Sequence, residues 1–428
     1  MPQAAPFSIM AKPIGPRCNI DCKYCYYLEK EKLFPEEKKF RMSHDVLESY
    51  VRQTIECSLE AGLNQVGFAW QGGEPTMLGV GYFEEIVTLQ QKYAPRDVKI
   101  TNTLQTNGTL LDDDWGAFFA ANDFLIGLSI DGPRKIHDRY RVTRSDRPTF
   151  DSVMRGLDVL RRHGVAHNAL TTVHHGNGGK GKEVYRFLRR LGIDFMQFIP
   201  IVERSPGVGL AGAPQVDMAP ENLVTAWSVS PKVYGKFLCD VFDTWFKHDI
   251  GKVFVQHFDV QLGLWLGHPS SLCVFAETCG NALAIEHDGS LFSCDHYVYP
   301  DYRLGKITET PMRELLWTER QVDFGHDKKT KLTSQCQECR FRFACNGGCP
   351  KHRFATSRSG EAGHNYFCES YTMFLRHAES RLVKMARLIA SGRPAAEAVL
   401  VDVHRQTAGS AGDTGRRPSE PKKPALLR

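Results

Sequence analysis

The stretch FSIMAKPIGPRCNIDCKYCYY, residues 7–27, joins a short apolar segment to three closely spaced cysteines. The apolar segment is typical of a buried strand. Cys18, Cys22 and Cys25 follow it with the spacing C-x3-C-x2-C. Three thiolates on one loop can ligate three irons of a 4Fe–4S cube and leave the fourth iron open to a small molecule. A zinc site that lacks one ligand, or three unrelated thiols, is also compatible with this spacing alone.

Short apolar segments alternate with amphipathic helical patterns from residue 7 to about residue 203. This alternation predicts an α/β fold with a parallel sheet and helices outside it. The sheet forms a partial or full βα barrel or, as the competing fold, a doubly wound open sheet. In a barrel the chemistry would lie at the C-terminal ends of the strands. The predicted strands are 7–13, 66–70, 98–106, 124–130, 169–173 and 195–202, and the predicted helices are 44–62, 81–94, 112–123, 150–164 and 182–192.

The second half of the chain predicts a smaller, turn-rich region. A helix is predicted over 231–248, and Asp288-Gly289 marks a hairpin turn between alternating runs. A helix from about residue 368 to residue 390 closes the ordered part. Residues 208–222 are rich in Gly, Ala and Pro and are interpreted as a surface loop, and the tail over 391–428 is expected to be disordered.

Composition and charge argue against several classes of protein. Of the 428 residues, 42% are hydrophobic and 24% are charged, which is enough apolar material for a sizeable core. No stretch approaches the ~20 apolar residues of a membrane span, and the first residues lack a signal-peptide pattern. The net charge is 54 − 49 = +5, and six basic against two acidic residues from Arg405 to Arg428 supply most of it. We therefore expect a cytoplasmic protein that binds neither nucleic acid nor membrane.

Eleven of the thirteen cysteines fall in two dense regions. Without an export signal disulfides are a poor explanation, because the cytosol keeps thiols reduced, so metal ligation or redox chemistry is favoured. Cys57 and Cys239 lie outside both regions and are interpreted as buried apolar thiols. The second region holds enough thiols for two fully ligated tetrathiolate sites, with a pair of structural zinc sites as the alternative. Its eight thiols are Cys273, Cys279, Cys294, Cys336, Cys339, Cys345, Cys349 and Cys368.

Further motifs at the predicted strand ends indicate a family. The aromatic run YCYY, residues 24–27, surrounds the third cysteine, and GGEP, residues 72–75, follows the second strand. QTNG at 105–108 and SIDG at 129–132 follow the third and fourth strands. In these features the chain resembles the radical S-adenosylmethionine (SAM) enzymes. The resemblance implies that the open iron binds the amino and carboxylate groups of SAM, and that the GGEP loop contacts the amino group.

The same resemblance implies further SAM contacts. They are expected from Ser129 and Arg141 and from the main chain of Tyr24, Gly73 and Val202. Without the family, Gly73 would be interpreted as part of a tight turn, Arg141 as a solvated charge and Val202 as barrel core.

The second cysteine region resembles the SPASM domain, an extension that carries auxiliary clusters in radical SAM enzymes acting on peptides and proteins. A cluster with every iron ligated is a poor substrate site and a good electron relay. The ligand scheme of the domain implies one auxiliary 4Fe–4S cluster on Cys273, Cys279, Cys294 and Cys349, and a second on Cys336, Cys339, Cys345 and Cys368. In this scheme Cys349 binds the first auxiliary cluster, although in the sequence it lies between Cys345 and Cys368, which bind the second.

Within SPASM proteins, the segment CDHYVYP, residues 294–300, is similar to the catalytic segment of anaerobic sulfatase-maturating enzymes. With QGGEP, QTNG, SIDG and FCESY, this resemblance extends over roughly residues 7–385. It implies oxidation of a Ser or Cys of a sulfatase to Cα-formylglycine, with SAM cleaved to methionine and 5′-deoxyadenosine. Asp295 is the expected general base, which must lie within hydrogen-bond reach of its proton. A hairpin-end carboxylate that caps backbone amides is the structural alternative for Asp295.

The resemblance also implies an unfolded sulfatase polypeptide as substrate and an electron donor such as a flavodoxin or ferredoxin. Two other functions stay open: a SPASM maturase that forms thioethers or cross-links or epimerises its peptide, and a zinc-stabilised binding module without catalysis. The expected organisation is a radical SAM partial (βα)6 barrel over 1–230, a linker helix and connection over 231–272, a SPASM domain with a β-hairpin and C-terminal helix over 273–390, and the tail over 391–428.

Overall fold

A computed structural model of the chain describes residues 6–37, 39–204 and 224–399. The loop predicted at 208–222 and the tail after residue 399 lie outside these described residues. Ten strands in the described ranges form one sheet. They are β1 (Ser8–Lys12), β2 (Gln65–Trp70), β3 (Lys99–Thr106), β4 (Leu125–Ser129), β5 (His167–Val173), β6 (Phe195–Pro200), β7 (Phe254–Val255), β8 (Ala282–Glu286), β9 (Ser290–Phe292) and β10 (Arg303–Lys306).

The first six strands are the six predicted from the sequence, and they lie side by side in chain order. Each is parallel to its neighbours from β1 to β6. A doubly wound sheet would reverse its strand order at a switch point, whereas this order does not reverse between β1 and β6. Within the described residues β10 and β7 form the two edges, so the sheet is open. The partial barrel is therefore confirmed and the doubly wound sheet is wrong.

The predicted helices are also present, and capping side chains explain where two of them begin. The Ser43 hydroxyl accepts the Val46 N–H at the start of the first helix, and the Asp112 carboxylate accepts the Trp115 N–H at the start of the third. Each such cap contributes about 1 kcal/mol. Of the described helices, none is long and apolar enough to cross a membrane. The helices are α1 (His44–Glu60), α2 (Val80–Tyr93), α3 (Asp113–Ala121), α4 (Arg134–His137), α5 (Phe150–Arg162), α6 (Gly181–Arg190), α7 (Pro231–His248), α8 (Gln256–Trp265), α9 (Met312–Leu316), α10 (Glu319–Thr330), α11 (Ser334–Gln337), α12 (Arg342–Cys345) and α13 (Cys368–Ala390).

Strand residues alternate between the helix-covered face and the barrel interior. On β4, Ile126 and Leu128 belong to the apolar cores, so Ser129 faces the opposite side. On β1, Ala11 is in the core and Lys12 faces the interior for the same reason. The C-terminal ends of the strands therefore present polar side chains to the barrel mouth.

The hairpin of the cysteine-rich region continues the barrel sheet. β8 pairs in parallel with β1, which brings Ala282–Glu286 beside Ser8–Lys12, and β9 returns antiparallel to β8. Gly289 in the connecting turn has a φ of 81°, a left-handed conformation that favours glycine. At the other edge, α13 packs on α7, where the Phe242 and Phe374 ring centroids are 5.6 Å apart. Contacts of Asp295 with Lys12 and Tyr26 show that the loop that follows β9 lies close to the loop that follows β1.

Candidate active site

Cys18, Cys22 and Cys25 lie on the loop after β1, and we call them the first thiol set. The loop is anchored by main-chain hydrogen bonds, among them the Asp21 N–H to the Val142 carbonyl at 2.7 Å. Burial raises the pKa of Cys18 to about 12, and it also raises the pKa of Cys22. Neighbouring thiols of the set raise both pKa values further. Thiolates here therefore need a positive partner, which the iron of a cluster would provide.

The GGEP loop after β2 lies directly against the loop of the first thiol set. The Gly73 N–H donates to the Gly15 carbonyl at 2.7 Å, and the Glu74 N–H donates to the Arg17 carbonyl at 2.8 Å. A Cβ atom at position 73 would lie 1.7 Å from the Arg17 carbonyl oxygen. Glycine is therefore required at this position by the contact between two loops, in addition to any need of the turn itself.

Glu74 connects the GGEP loop to the QTNG segment after β3. Its Oε1 accepts the Thr106 hydroxyl at 2.7 Å, and its Oε2 accepts the Asn107 N–H at 2.7 Å. Asn107 Nδ2 in turn donates to Cys18 Sγ at 3.7 Å. The loops after β1, β2 and β3 therefore form one hydrogen-bonded unit around the first thiol set. Glu74 lies within the GGEP motif, but the motif alone did not indicate this role.

Arg141 is 7% exposed, so it is not the solvated charge of the alternative interpretation. Its Nη1 donates to Cys22 Sγ at 3.8 Å, and its Nε pairs with Asp131 Oδ2 at 3.1 Å. The Tyr24 hydroxyl donates to the same Asp131 oxygen at 2.5 Å. Although burial alone would raise it, Arg141 and then His174 hold the pKa of Asp131 below its ordinary value. Ionised Asp131 thus fixes Arg141 and Tyr24 beside Cys22.

Ser129 and Val202 complete the residues expected to contact SAM. Ser129 ends β4, faces the barrel interior and is 5% exposed. Val202 follows β6 with its side chain in the apolar core, which leaves its main chain for any contact at the barrel mouth. Both lie at C-terminal strand ends, where barrels bind their ligands. That these residues contact SAM stays a prediction.

The thiols of the second region divide into two groups according to which neighbouring thiols raise the pKa of Cys279, Cys294 and Cys345 beyond the effect of burial. Burial raises the pKa of Cys279 to about 12, and Cys349 raises it further. Burial likewise raises the pKa of Cys345 to about 12, with a further rise from Cys368. We call the groups the second thiol set, Cys273, Cys279, Cys294 and Cys349, and the third thiol set, Cys336, Cys339, Cys345 and Cys368. This grouping matches the ligand scheme of the SPASM resemblance, and iron ligation by it stays a prediction.

Cys345 and Cys349 belong to different sets although only three residues separate them. Those residues, Asn346, Gly347 and Gly348, have φ angles of 47°, 70° and 62°. Three successive left-handed residues turn the chain sharply, and two of the three are glycines, which adopt this conformation without strain. The Asn-Gly-Gly sequence between the cysteines was the available signal that the chain changes direction there.

The donor chemistry of the three sets fits iron–sulfur clusters. All thirteen cysteines are free, and thiolates are the usual protein ligands of such clusters. Within the described ranges, no three His, Cys, Asp or Glu side chains converge closely enough to hold a single metal ion. Burial raises the pKa of Cys18, Cys294 and Cys345, and backbone N–H groups lower it by hydrogen bonding, which stabilises a thiolate. These donors are Ile20 for Cys18, His296 for Cys294 and Gly347 for Cys345.

Asp295 directly follows Cys294 and is held from two sides. Lys12 Nζ lies 2.5 Å from its Oδ1, and the Tyr26 hydroxyl donates to its Oδ2 at 2.7 Å. Although burial alone would raise it, Lys12 holds the pKa of Asp295 below its ordinary value. Its side chain is 18% exposed, so a substrate can reach it. Its hydrogen-bond and ion-pair partners among the described residues are side chains, not the backbone amides that a hairpin-end cap would bind.

The charged side chains around Asp295 were missed by the sequence analysis. Lys351 pairs with Glu203, and its Nζ lies 4.1 Å from the centroid of the Tyr26 ring. Lys12 had a sequence signal, since a lysine at the end of an apolar strand faces the interior when alternation is followed. Lys351 and Glu203 had none, because they lie 148 residues apart and meet only through the fold.

Two family models match the chain. The Radical SAM superfamily model matches residues 13–191. The SPASM model, described as an iron-sulfur cluster-binding domain, matches residues 273–340. The first match contains the first thiol set, and the second contains most of the second and part of the third.

Full-length relatives also match. The serine-type anaerobic sulfatase-maturating enzyme of Bacteroides thetaiotaomicron is 42% identical over 380 residues, which cover 88% of this chain and 90% of the relative. The cysteine-type enzyme of Clostridium perfringens is 33% identical over 386 residues, covering 90% and 99%. The solved structure described as "Native anSMEcpe with bound AdoMet and Cp18Cys peptide" matches with a TM-score of 0.77 at 33% identity, covering 89% of this chain and 99% of that one.

Proposed function

The chain belongs to the anaerobic sulfatase-maturating enzymes, which are radical SAM proteins with a SPASM domain. On this premise we propose that it oxidises a Ser or Cys side chain of a sulfatase to Cα-formylglycine, with SAM cleaved to methionine and 5′-deoxyadenosine. Membership of this family removes the zinc-stabilised binding module from consideration. No contact in the described site favours thioether formation, cross-linking or epimerisation.

One contact carries the proposal, the 2.7 Å hydrogen bond from Tyr26 to Asp295. Tyr26 directly follows Cys25 of the first thiol set, and Asp295 directly follows Cys294 of the second. The candidate base therefore stands between the place where a substrate radical would be made and the place where its electron would leave. Oxidation of a hydroxyl or thiol carbon to an aldehyde requires radical formation and electron loss to occur close together.

When bound, SAM and the clusters supply a 5′-deoxyadenosyl radical that removes a hydrogen atom from the substrate Cβ, together with an acceptor for one further electron. Asp295 takes the proton of the substrate hydroxyl or thiol. Lys12 keeps the Asp295 carboxylate ionised before that transfer, and Tyr26 fixes its orientation. Loss of the hydrogen atom, the proton and the electron gives the aldehyde directly from Ser. From Cys it gives a thioaldehyde, which water hydrolyses to the same aldehyde with release of hydrogen sulfide.

The cofactors are three 4Fe–4S clusters, with SAM as cosubstrate, and we assign their ligands to the three thiol sets. The first set would hold the SAM-binding cluster, and the second and third sets would hold the two auxiliary clusters. The support is the grouping of the thiols and the backbone hydrogen bonds to their sulfur atoms. For SAM itself we assign Ser129, Arg141 and the main chain of Tyr24, Gly73 and Val202.

The barrel mouth offers groups that can hold an extended peptide. Gln71 directly follows β2 and Gln105 is near the end of the neighbouring β3, and both are half-buried. Their amides can donate to and accept from a main chain that lies across the opening. Recognition of this kind depends on local backbone groups, which suits a segment modified before the sulfatase folds.

We expect Gly73→Ala to separate the GGEP loop from the loop of the first thiol set, because the added Cβ meets backbone that cannot rotate away. SAM cleavage should fall about a hundredfold, the loss associated with displacing reacting groups by about 1 Å. The measurement is the rate of 5′-deoxyadenosine formation. Gly67→Ala on β2 is the control, since a Cβ there meets only Thr101 Oγ1 at 3.5 Å. Similar rates in both variants would show that the loop contact has no part in SAM binding.

The partners that complete the proposal are an unfolded sulfatase polypeptide and an electron donor such as a flavodoxin or ferredoxin. The relatives are named as sulfatase-maturating enzymes, and the matched structure contains a bound peptide. We place the protein in the cytoplasm, where thirteen free cysteines stay reduced.

The proposal is tested by anaerobic incubation of the reconstituted protein with SAM, a reductant and matched peptides that differ only in carrying Ser, Cys or Ala at the target position. We expect mass spectrometry to show the formylglycine mass in the Ser peptide, the Cys peptide or both, and no change in the Ala peptide. Accumulation of 5′-deoxyadenosine with every peptide unmodified would overturn the proposed substrate. Absence of 5′-deoxyadenosine would overturn the assigned SAM chemistry.

A further inference from the structure

Two buried cations of the cysteine-rich region have no carboxylate partner among the described residues. Lys328 on α10 is fully buried, and Arg353 is 7% exposed. Removing an ammonium or a guanidinium group from water is strongly unfavourable unless an opposite charge compensates it. The negative charge that balances these two cations must therefore come from groups other than Asp and Glu.

Lys328 reaches the start of the second thiol set. Its Nζ donates to the carbonyl of Cys273 at 2.5 Å, to that of Val274 at 3.2 Å and to that of Ala276. Carbonyl dipoles satisfy the three N–H donors without neutralising the charge. The ammonium therefore lies beside Cys273, the first residue of the second set.

Arg353 holds the turn that carries the chain from the third set to the second. Its Nε donates to the Gly347 carbonyl at 3.1 Å, and its Nη2 donates to the Asn346 carbonyl at 3.1 Å. Its Nη1 donates to the Lys328 carbonyl at 2.8 Å, which ties the two cations together. The guanidinium thus uses its donors on backbone carbonyls, again without a carboxylate.

We propose that Lys328 and Arg353 are the counter-ions of the auxiliary clusters and stabilise the negative charge that a cluster gains on reduction. The inference rests on the ligand sets of the proposed function. In the redox step one electron passes from the substrate radical to an oxidised cluster, while the proton of the substrate goes to Asp295. Lys328, bonded to the Cys273 carbonyl, acts on the second set, and Arg353, which holds the turn between Cys345 and Cys349, acts on both.

The test uses the full chain with Cys18, Cys22 and Cys25 replaced by Ala, so that only the auxiliary clusters remain. Redox titration followed by electron paramagnetic resonance gives their midpoint potentials. In this background Lys328→Gln should shift one midpoint to more negative potential. The ratio of reduced to oxidised cluster at fixed potential should fall at least about tenfold, which is 59 mV for one electron. Arg353→Gln should shift both midpoints in the same direction.

Lys331→Gln is the matched control, because Lys331 lies at the end of the same helix but is 65% exposed and paired with Asp327. Its removal should leave both midpoints unchanged. Unchanged midpoints in Lys328→Gln with full iron content would overturn the inference. If Lys328→Gln instead loses iron, Lys328→Arg decides: recovery of iron shows that the charge is required, and failure to recover it shows a packing role and overturns the inference.

The iron content of the background protein separates this inference from the proposed ligands. About eight irons, two clusters of four, are expected before any cation is changed. A much lower content would overturn the assignment of the second and third thiol sets. A normal content with unshifted midpoints would overturn only the role of Lys328 and Arg353.

Discussion

Replacement of Cys22 by Ala is expected to abolish 5′-deoxyadenosine formation and to leave the auxiliary clusters assembled. Cys22 is the central member of the first thiol set, and a cluster held by the remaining two thiols would lack one of its three protein ligands. The loss is therefore expected to be complete to background. Iron should fall from about twelve to about eight per chain, because two clusters of four remain. Iron analysis and the nucleoside assay on the same preparation measure both effects.

The matched control is Cys239→Ala. Cys239 lies half-buried on α7, outside the three thiol sets, so its removal costs only a small apolar contact. We expect iron content and 5′-deoxyadenosine formation to equal those of the unmodified protein. SAM cleavage that survives in Cys22→Ala would remove this cysteine from the ligands. Loss of all iron would contradict the assignment of the second and third thiol sets as ligands of two further clusters.

The barrel was accessible to sequence reasoning because local periodicity determines where its strands and helices lie. The helix predicted over 231–248 matches α7, and the one predicted from 368 to 390 matches α13. A buried parallel strand and the helix that covers it each carry a distinct repeat of apolar residues. Periodicity does not show which distant strand a given strand pairs with. The pairing of β8 with β1 joins segments more than 270 residues apart and was not foreseen.

The candidate site likewise contains residues that could be predicted from the sequence and residues whose roles only the fold shows. Cysteines and motif residues could be named from the sequence because their spacing repeats a known pattern. Asp131 and Glu74 belong to the SIDG and GGEP motifs. Asp131 binds Arg141 and Glu74 binds Asn107, and motif spacing does not predict such contacts. Residues that act through other residues depend on tertiary geometry, so the sequence alone does not reveal their roles.

Asp295→Asn is expected to leave SAM cleavage detectable and to lower peptide oxidation by about 10²- to 10⁴-fold, the usual contribution of a general base. The amide keeps an oxygen that can accept from Tyr26, yet it cannot take the substrate proton. The measurement is the ratio of formylglycine peptide to 5′-deoxyadenosine, which should fall while iron stays at about twelve per chain. Asp301→Asn is the matched control, since Asp301 is an exposed carboxylate six residues further along the chain.

A loss of activity in Asp295→Asn could also arise from stability, because the change leaves Lys12 buried beside a neutral side chain. Breaking a buried ion pair from one side costs about 3–5 kcal/mol, whereas replacing both partners by neutral groups is often far less harmful. The double variant Lys12→Met/Asp295→Asn should therefore regain thermal stability relative to Asp295→Asn. It should not regain peptide oxidation, because the base is still missing. Oxidation that returns together with stability would show that the carboxylate supports the fold and takes no proton.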